Sequence, residues 1–261
     1  MTNETALITG ASGGIGLELA RIFASNGINL VLVARNTDKL NRIASELRSK
    51  GIVVKIYSKD LSVLQNAKDL VIEITSEGII INYLVNNAGF GINDTETNIS
   101  WDREFEMLNL NMVTLTYFTK IYASEMIRQG FGRILNIGST GSFQPGPYMA
   151  AYSASKAYVL HFSEAVNYEL KGSGVTVSTL CPGVTDTGFH ETAQTTSSII
   201  YKNMGHATAF EVARYGYKMM MNGKSWGVYG FMNRFSTFML RFTPRNLVTL
   251  VAAKLIRPKS R

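Results

Sequence analysis

Tyr152 and Lys156 stand four residues apart in Tyr152-Ser-Ala-Ser-Lys-Ala-Tyr-Val-Leu-His-Phe162, a stretch that reads as helix. That spacing puts both side chains on one helical face, a turn apart. A phenol titrates near pH 10 and is a poor acid or base at neutral pH. A fixed ammonium beside it favours the phenolate and is expected to lower that value. The pair can therefore serve as an acid/base device, with the hydroxyl of Ser139 as a second polar group ahead of it in the chain. On its own a Tyr-x-x-x-Lys pair says little, and the rest of the chain must supply what it would act on.

A second constellation lies at the N-terminus, in Thr5-Ala-Leu-Ile-Thr-Gly-Ala-Ser-Gly-Gly-Ile-Gly16. Ala6 to Thr9 reads as a short buried strand, and Leu17, Ala20, Phe23 and Ala24 recur at helical spacing up to Ser25. Between them Gly10, Ser12, Gly13, Gly14, Ile15 and Gly16 form a turn through which backbone and ligand can approach closely. A helix N-terminus presents free N–H groups and a positive dipole end to a pyrophosphate. Strand, glycine turn and helix in that order form a dinucleotide cradle.

The elements that would position these groups alternate. Apolar runs at Asn29–Arg35, Ile52–Tyr57, Ile81–Val85, Arg133–Ile137 and Val175–Leu180 read as strands, with helical patterns between them, including 102–128 and 151–171. The expected fold class is α/β: one doubly wound Rossmann domain over residues 1–261, with a parallel sheet of about seven strands and helices on both faces. Such sheets bind ligands at the carboxyl ends of their strands, where the motif residues fall.

In order along the chain come the glycine turn, Asp60-Leu61, Asn86-Asn87-Ala88-Gly89, Asn111, Ser139, Tyr152 with Lys156, and Pro182-Gly183. This ordered set resembles the short-chain dehydrogenase/reductase family in its single-domain branch, from residue 5 to about residue 187. The resemblance implies that Tyr152 is the catalytic acid/base, and that Ser139 orients the substrate oxygen. It implies that Lys156 holds the nicotinamide ribose and lowers the Tyr152 pKa. Asn111 would support a water chain to Lys156; it fits better than Asn109, because Thr119 then falls where the family has a threonine. Asp60 and Leu61 would meet the adenine, Asn87, Ala88 and Gly89 would line the cofactor, and Pro182, Gly183 and Thr187 would shape its nicotinamide side. Gly138 departs from the family's frequent serine, and an apolar, basic tail over about 230–261 replaces its glycine-rich end. The resemblance also implies a homodimer or homotetramer, with 102–128 and 151–171 at the interface; the unusual tail puts the tetramer in question.

The end of the second strand bears on the cofactor. A carboxylate there binds the ribose 2′-hydroxyl of NAD, whereas this chain has Ala34 and Arg35, with Lys39 nearby. A guanidinium suits a 2′-phosphate, so the expectation is NADP(H) over NAD(H). The function expected is interconversion of a carbonyl and an alcohol on a lipophilic or acyl-type substrate; the alternative is a non-catalytic NADP(H) sensor or scaffold. A covering segment over 188–210 brings Phe189, Ile199, Ile200, Tyr201, Met204 and Phe210, which with Phe143 and Met149 suggest an apolar pocket.

Composition narrows the classes further. The chain has 261 residues, a net charge of +7 and five prolines, without a linker-like segment or repeat. The one cysteine, Cys181, rules out an intrachain disulfide and fits a reducing, cytoplasmic compartment as a packed core residue. His161, His190 and His206 show no metal-ligand spacing, so no metal is expected. The polar first residues do not read as a signal peptide. The basic balance suits a phosphorylated cofactor, and no nucleic-acid motif accompanies it. Trp226 onward is rich in Met, Phe, Leu and Arg; internal packing or subunit contact is favoured over a membrane-surface helix.

Overall fold

A computed structural model describes residues 4–189, 193 and 206–258. Most of the 188–210 segment, with His190, Ile199, Ile200, Tyr201 and Met204, lies outside the described residues. Seven parallel strands form one sheet in the order β3-β2-β1-β4-β5-β6-β9. They are β1 (Thr5–Thr9), β2 (Asn29–Ala34), β3 (Val54–Ser58), β4 (Tyr83–Asn86), β5 (Gly132–Ile137), β6 (Val175–Cys181) and β9 (Trp226–Val228). A small pair, β7 (Thr185–Asp186) with β8 (Ala207–Thr208), stands apart from it.

The strands are nearly continuous apolar runs because both faces of the sheet are covered. Ala6, Ile8, Leu30 and Leu32 point to one face, where they pack against Leu19 and Phe23 of α1 (Gly14–Ser25), Leu40 and Leu47 of α2 (Thr37–Arg48) and Val212 of α7 (Ala209–Met221). Leu7, Val31 and Val33 point to the other, against Leu70 of α3 (Leu64–Ser76) and Phe118 and Tyr122 of α5 (Leu115–Gln129). The period of two along each strand thus divides one apolar sequence between two cores.

The strand order turns back at β1, whose two neighbours are β2 and β4. Loops leaving β1 and β4 diverge there and open a crevice at the carboxyl ends of the strands. The 102–128 stretch is helical but not uniform: α4 (Trp101–Leu108) and α5 are joined by a π-helical turn over Asn109–Thr114. α6 (Ala150–Glu169) follows β5 and carries the Tyr/Lys pair. After β9 come α8 (Phe231–Met239) and α9 (Arg245–Ile256), both C-terminal to the sheet.

Candidate active site

The glycine turn is shaped by steric closeness. Gly10 has φ +65°, and a Cβ on it would lie 2.7 Å from Asn87 Nδ2. A Cβ on Gly16 would lie 2.5 Å from both Gly10 O and Asn87 Nδ2, so the first turn of α1 closes onto β1 only with glycine there. Thr9 ties this turn to β4. Its Oγ1 donates to Val85 O at 3.2 Å and accepts from the N–H groups of Asn87 and Ala88, both at 3.0 Å. Asn87 Nδ2 donates back to Thr9 O at 2.9 Å. The result is a rigid floor, with the N-terminus of α1 facing the crevice.

A cleft of about 600 Å³ runs along this floor. Its lining includes Gly10, Ser12, Gly13, Gly14 and Ile15 from the turn, and Arg35, Asp60 and Leu61 at one end. Asn87, Ala88 and Gly89 line the middle; Ser139, Tyr152, Lys156, Pro182, Gly183 and Thr187 line the far end. Gly16 lies behind the wall and acts on the turn, not on the cleft surface. Asn111 is likewise a layer back: its Nδ2 donates to Phe90 O at 3.0 Å and Ser155 Oγ at 3.2 Å, and its Oδ1 accepts from Phe90 N. A Cβ on Gly89 would touch Asn111 Oδ1 at 2.8 Å and Lys156 Nζ at 3.5 Å, so only glycine lets these groups flank the cleft wall.

Ser139 leaves β5 and bridges to α6. Its Oγ accepts from Gly141 N at 3.0 Å and is hydrogen-bonded to the Tyr152 hydroxyl. Ser142 Oγ accepts from Ser139 N at 3.2 Å and donates to Lys156 O at 2.8 Å, locking the loop onto the helix that carries the pair. Lys156 is buried, and its Nζ donates to Ile137 O at 2.8 Å. Burial pulls its ammonium down to about 8.

Lys156 was expected to lower the Tyr152 phenol, yet that phenol is pushed up to about 12. Burial is the larger cause, and the Ser139 hydrogen bond opposes it only in part. The lysine amine is engaged by the Ile137 carbonyl, 5.9 Å from the Tyr152 ring centre, and is itself destabilised as a cation.

At the other end Arg35 Nη1 lies 4.0 Å from Asp60 Oδ2, with Asn36 and Lys39 also facing the cleft. Burial raises the Asp60 carboxyl, but bonds from Ser62 Oγ and N and the nearby Arg35 charge outweigh it and leave it below its ordinary value. The end of β2 therefore presents cations and an amide, with no carboxylate of its own.

The apolar wall was only partly legible. Met149 and Phe189 line the cleft, with the Phe189 ring 5.4 Å from that of Tyr152. Phe143 instead packs on Trp226, and Phe210 is exposed on α7. Ile256, at the end of α9, joins the wall, a contribution that no local pattern announces. Tyr148 holds φ +66°, rare for a bulky residue, and its carbonyl accepts from Asp94 N at 3.0 Å and Asn93 Nδ2 at 3.3 Å. Asn93 Nδ2 also donates to Ile256 O at 3.2 Å, which fastens the end of α9 to the rim.

Comparison with known proteins matches residues 4–198 to the family described as short chain dehydrogenase. The chain is 33% identical over 196 residues to the ketoacyl reductase HetN of Nostoc sp., covering 72% of this chain and 66% of that protein. It is 36% identical over 176 residues to a very-long-chain 3-oxoacyl-CoA reductase of Neurospora crassa, covering 66% of this chain and 53% of that one. A short-chain dehydrogenase from Sphingobium yanoikuyae, solved in complex with NADPH, superposes with a TM-score of 0.81 at 29% identity over 90% of this chain and 91% of that chain. The parallel sheet, the glycine turn at its switch point and a family match over most of the sequence converge: the chain belongs to the short-chain dehydrogenase family.

Proposed function

We propose that this protein is an NADP(H)-dependent oxidoreductase that interconverts a carbonyl and an alcohol on a lipophilic or acyl-type substrate. The observation that carries the reading is the convergence of Ser139, Tyr152 and Lys156 at one end of a cleft whose other end is the glycine turn with Arg35. The cleft suits a dinucleotide: the α1 N-terminus and the glycine-rich turn accept a pyrophosphate, and Arg35 and Lys39 accept a 2′-phosphate. Gly10, Ser12, Gly13, Gly14 and Ile15 would hold the phosphates, Asp60 and Leu61 the adenine end, and Asn87 to Gly89, Lys156, Pro182, Gly183 and Thr187 the nicotinamide half. Bound NADPH supplies a hydride to a carbonyl carbon, and NADP takes one from an alcohol.

The chain's own task is to manage the oxygen. During reduction, negative charge grows on the carbonyl oxygen, and hydroxyl donors already in place stabilise it without reorganising. Gly141 N–H occupies an acceptor site of Ser139 Oγ, leaving its O–H to donate. Tyr152 donates a second bond and hands over its proton, for which its protonated resting state is the correct one. Asn111, positioned behind Gly89, would support a water chain that delivers a replacement proton to Lys156. Met149 and Phe189 favour an apolar group beside the reacting carbon.

Tyr152→Phe keeps the ring and removes the proton. The expected result is a loss of kcat of at least about a hundredfold, with NADPH affinity little changed. The measurement is nicotinamide absorbance across a panel of ketones and 3-oxoacyl thioesters, beside a calorimetric NADPH titration. Equal turnover by wild type and variant would remove Tyr152 from the chemistry. Tight NADPH binding with no turnover on carbonyls or alcohols would favour a sensor instead.

A further inference from the structure

α8 is amphipathic the wrong way round for a helix that packs on its own protein. Phe231, Phe235, Phe238 and Phe242 recur at helical spacing through α8 and the turn after it, and they are 74%, 52%, 54% and 69% exposed. Met232 and Met239 are exposed beside them. The side chains turned toward the body are polar: Asn233 Nδ2 donates to Tyr229 O at 2.9 Å and lies against Gly183, and Thr237 is half-buried. No residue of α8 is buried. α9 continues the pattern, burying Val248 and Ala252 and exposing Leu247, Leu250 and Val251. Internal packing, the occupant favoured from sequence, covers only the inner side of this segment.

The charge around the stripe has one sign. After Glu211 the chain carries Lys and Arg but neither Asp nor Glu. Arg234, Arg241, Arg245, Lys254 and Arg257 are exposed, and none joins an ion pair among the described residues. A two-fold contact between copies through this face would set like charges against each other with no acidic partner from the same segment. An aromatic and methionine stripe flanked only by cations complements an interface of apolar chains and anionic headgroups. No described helix is long and apolar enough to cross a membrane, so the mode is surface seating.

We infer that α8 and the outer side of α9 dock this protein on a membrane surface bearing anionic lipids, with the phenylalanines in the headgroup–acyl boundary and the arginines at the phosphates. The face adjoins the cleft: Ile256 of α9 lines it, and Asn233 of α8 packs on Gly183, which lines it too. A lipophilic carbonyl dissolved in the bilayer would enter there; that consequence rests on the proposed reductase activity, whereas docking itself does not.

The test is co-flotation of the full chain with phosphatidylcholine vesicles, with and without phosphatidylglycerol. Binding is expected only when phosphatidylglycerol is present, and it should weaken as salt is raised, because the attraction is screened. Arg234→Gln with Arg241→Gln should weaken it about fivefold per charge removed. Phe231→Ser, Phe235→Ser and Phe238→Ser together should abolish it, and circular dichroism checks that this variant stays folded. If the serine variant unfolds, the arginine pair decides, since it leaves the apolar stripe intact. No flotation of the wild type with phosphatidylglycerol overturns the inference. So does an oligomer, seen by sedimentation, that the serine variant dissociates while the wild type ignores lipid; the face would then be a subunit contact. Flotation is read without turnover, so an inactive protein that still binds vesicles would refute the reductase reading and leave docking standing.

Discussion

The resting phenol of Tyr152 sits near 12 because the cleft strips it of water faster than Ser139 can compensate. That makes the free protein ready to donate a proton and poor at accepting one. For alcohol oxidation, log(kcat/KM) should climb about one unit per pH unit from about pH 6 to 7.5, below the titration of Lys156, since it tracks the scarce Tyr152 phenolate. Carbonyl reduction should stay nearly flat over the same range, because the phenol remains protonated. Initial rates in both directions across that range measure this; an oxidation profile that levels off near neutrality would mean that the Lys156 ammonium leaves Ile137 and lowers the phenol after all. At the opposite end, Arg35 is 66% exposed along its side chain, so its removal should disturb little of the fold. Arg35→Ala should weaken NADPH binding about ten- to a hundredfold, the worth of a charged hydrogen bond, and leave NADH nearly unaffected. Parallel titrations with the two cofactors give that ratio, and equal losses would assign Arg35 to something other than the 2′-phosphate.

Elements carry the next level of control, through short polar ties between apolar strands. Thr9 links β1 to the end of β4 and the loop after it by three hydrogen bonds made by one buried hydroxyl. Thr9→Val preserves shape but strands two N–H groups, and should cost about 1–3 kcal/mol in urea melts together with a weaker cofactor complex. Unchanged stability and affinity would mean that the two N–H groups find other partners. Such ties explain which parts of the molecule could be read ahead of the structure. Strand positions followed from apolar runs because both faces are buried, and Gly10 to Gly16 followed from the steric demand of a strand-to-helix turn. The π-helical turn at Asn109–Thr114 did not, because its extra residue per turn is set by packing around Asn111, whose bonds go to Phe90 and Ser155 from other elements. Ile256 was invisible for the same reason: it reaches the cleft through a tie to Asn93, 163 residues earlier in the chain.

At the scale of the whole molecule, the cleft lowers stability in return for its chemistry, and protonation linkage exposes this. Lys156 is buried beside Cys181 and held to about 8, below the ordinary lysine value of 10.5. Between those values the unfolded chain binds the proton and the folded chain does not, so stability rises with pH there; below about 8 the full penalty applies. The gap corresponds to about 3 kcal/mol at neutral pH, at 1.36 kcal/mol per pKa unit. Cys181 and Tyr152 work in the opposite sense. Burial pushes both up to about 12, so above their ordinary values the unfolded chain releases those protons first and stability falls. A wild-type melting curve mixes these trends, and a difference against Lys156→Met separates them, because methionine fills the same volume without a charge. At pH 7 the variant should be the more stable protein, and its advantage should shrink toward zero by about pH 10.5 as the wild-type lysine loses its proton in both states. Melting temperatures of both proteins at intervals from pH 7 to about 10.5 read the sign directly. A variant less stable at pH 7, or a difference that does not move with pH, would mean that the Ile137 carbonyl solvates the Lys156 ammonium well enough to cancel the cost of burying it.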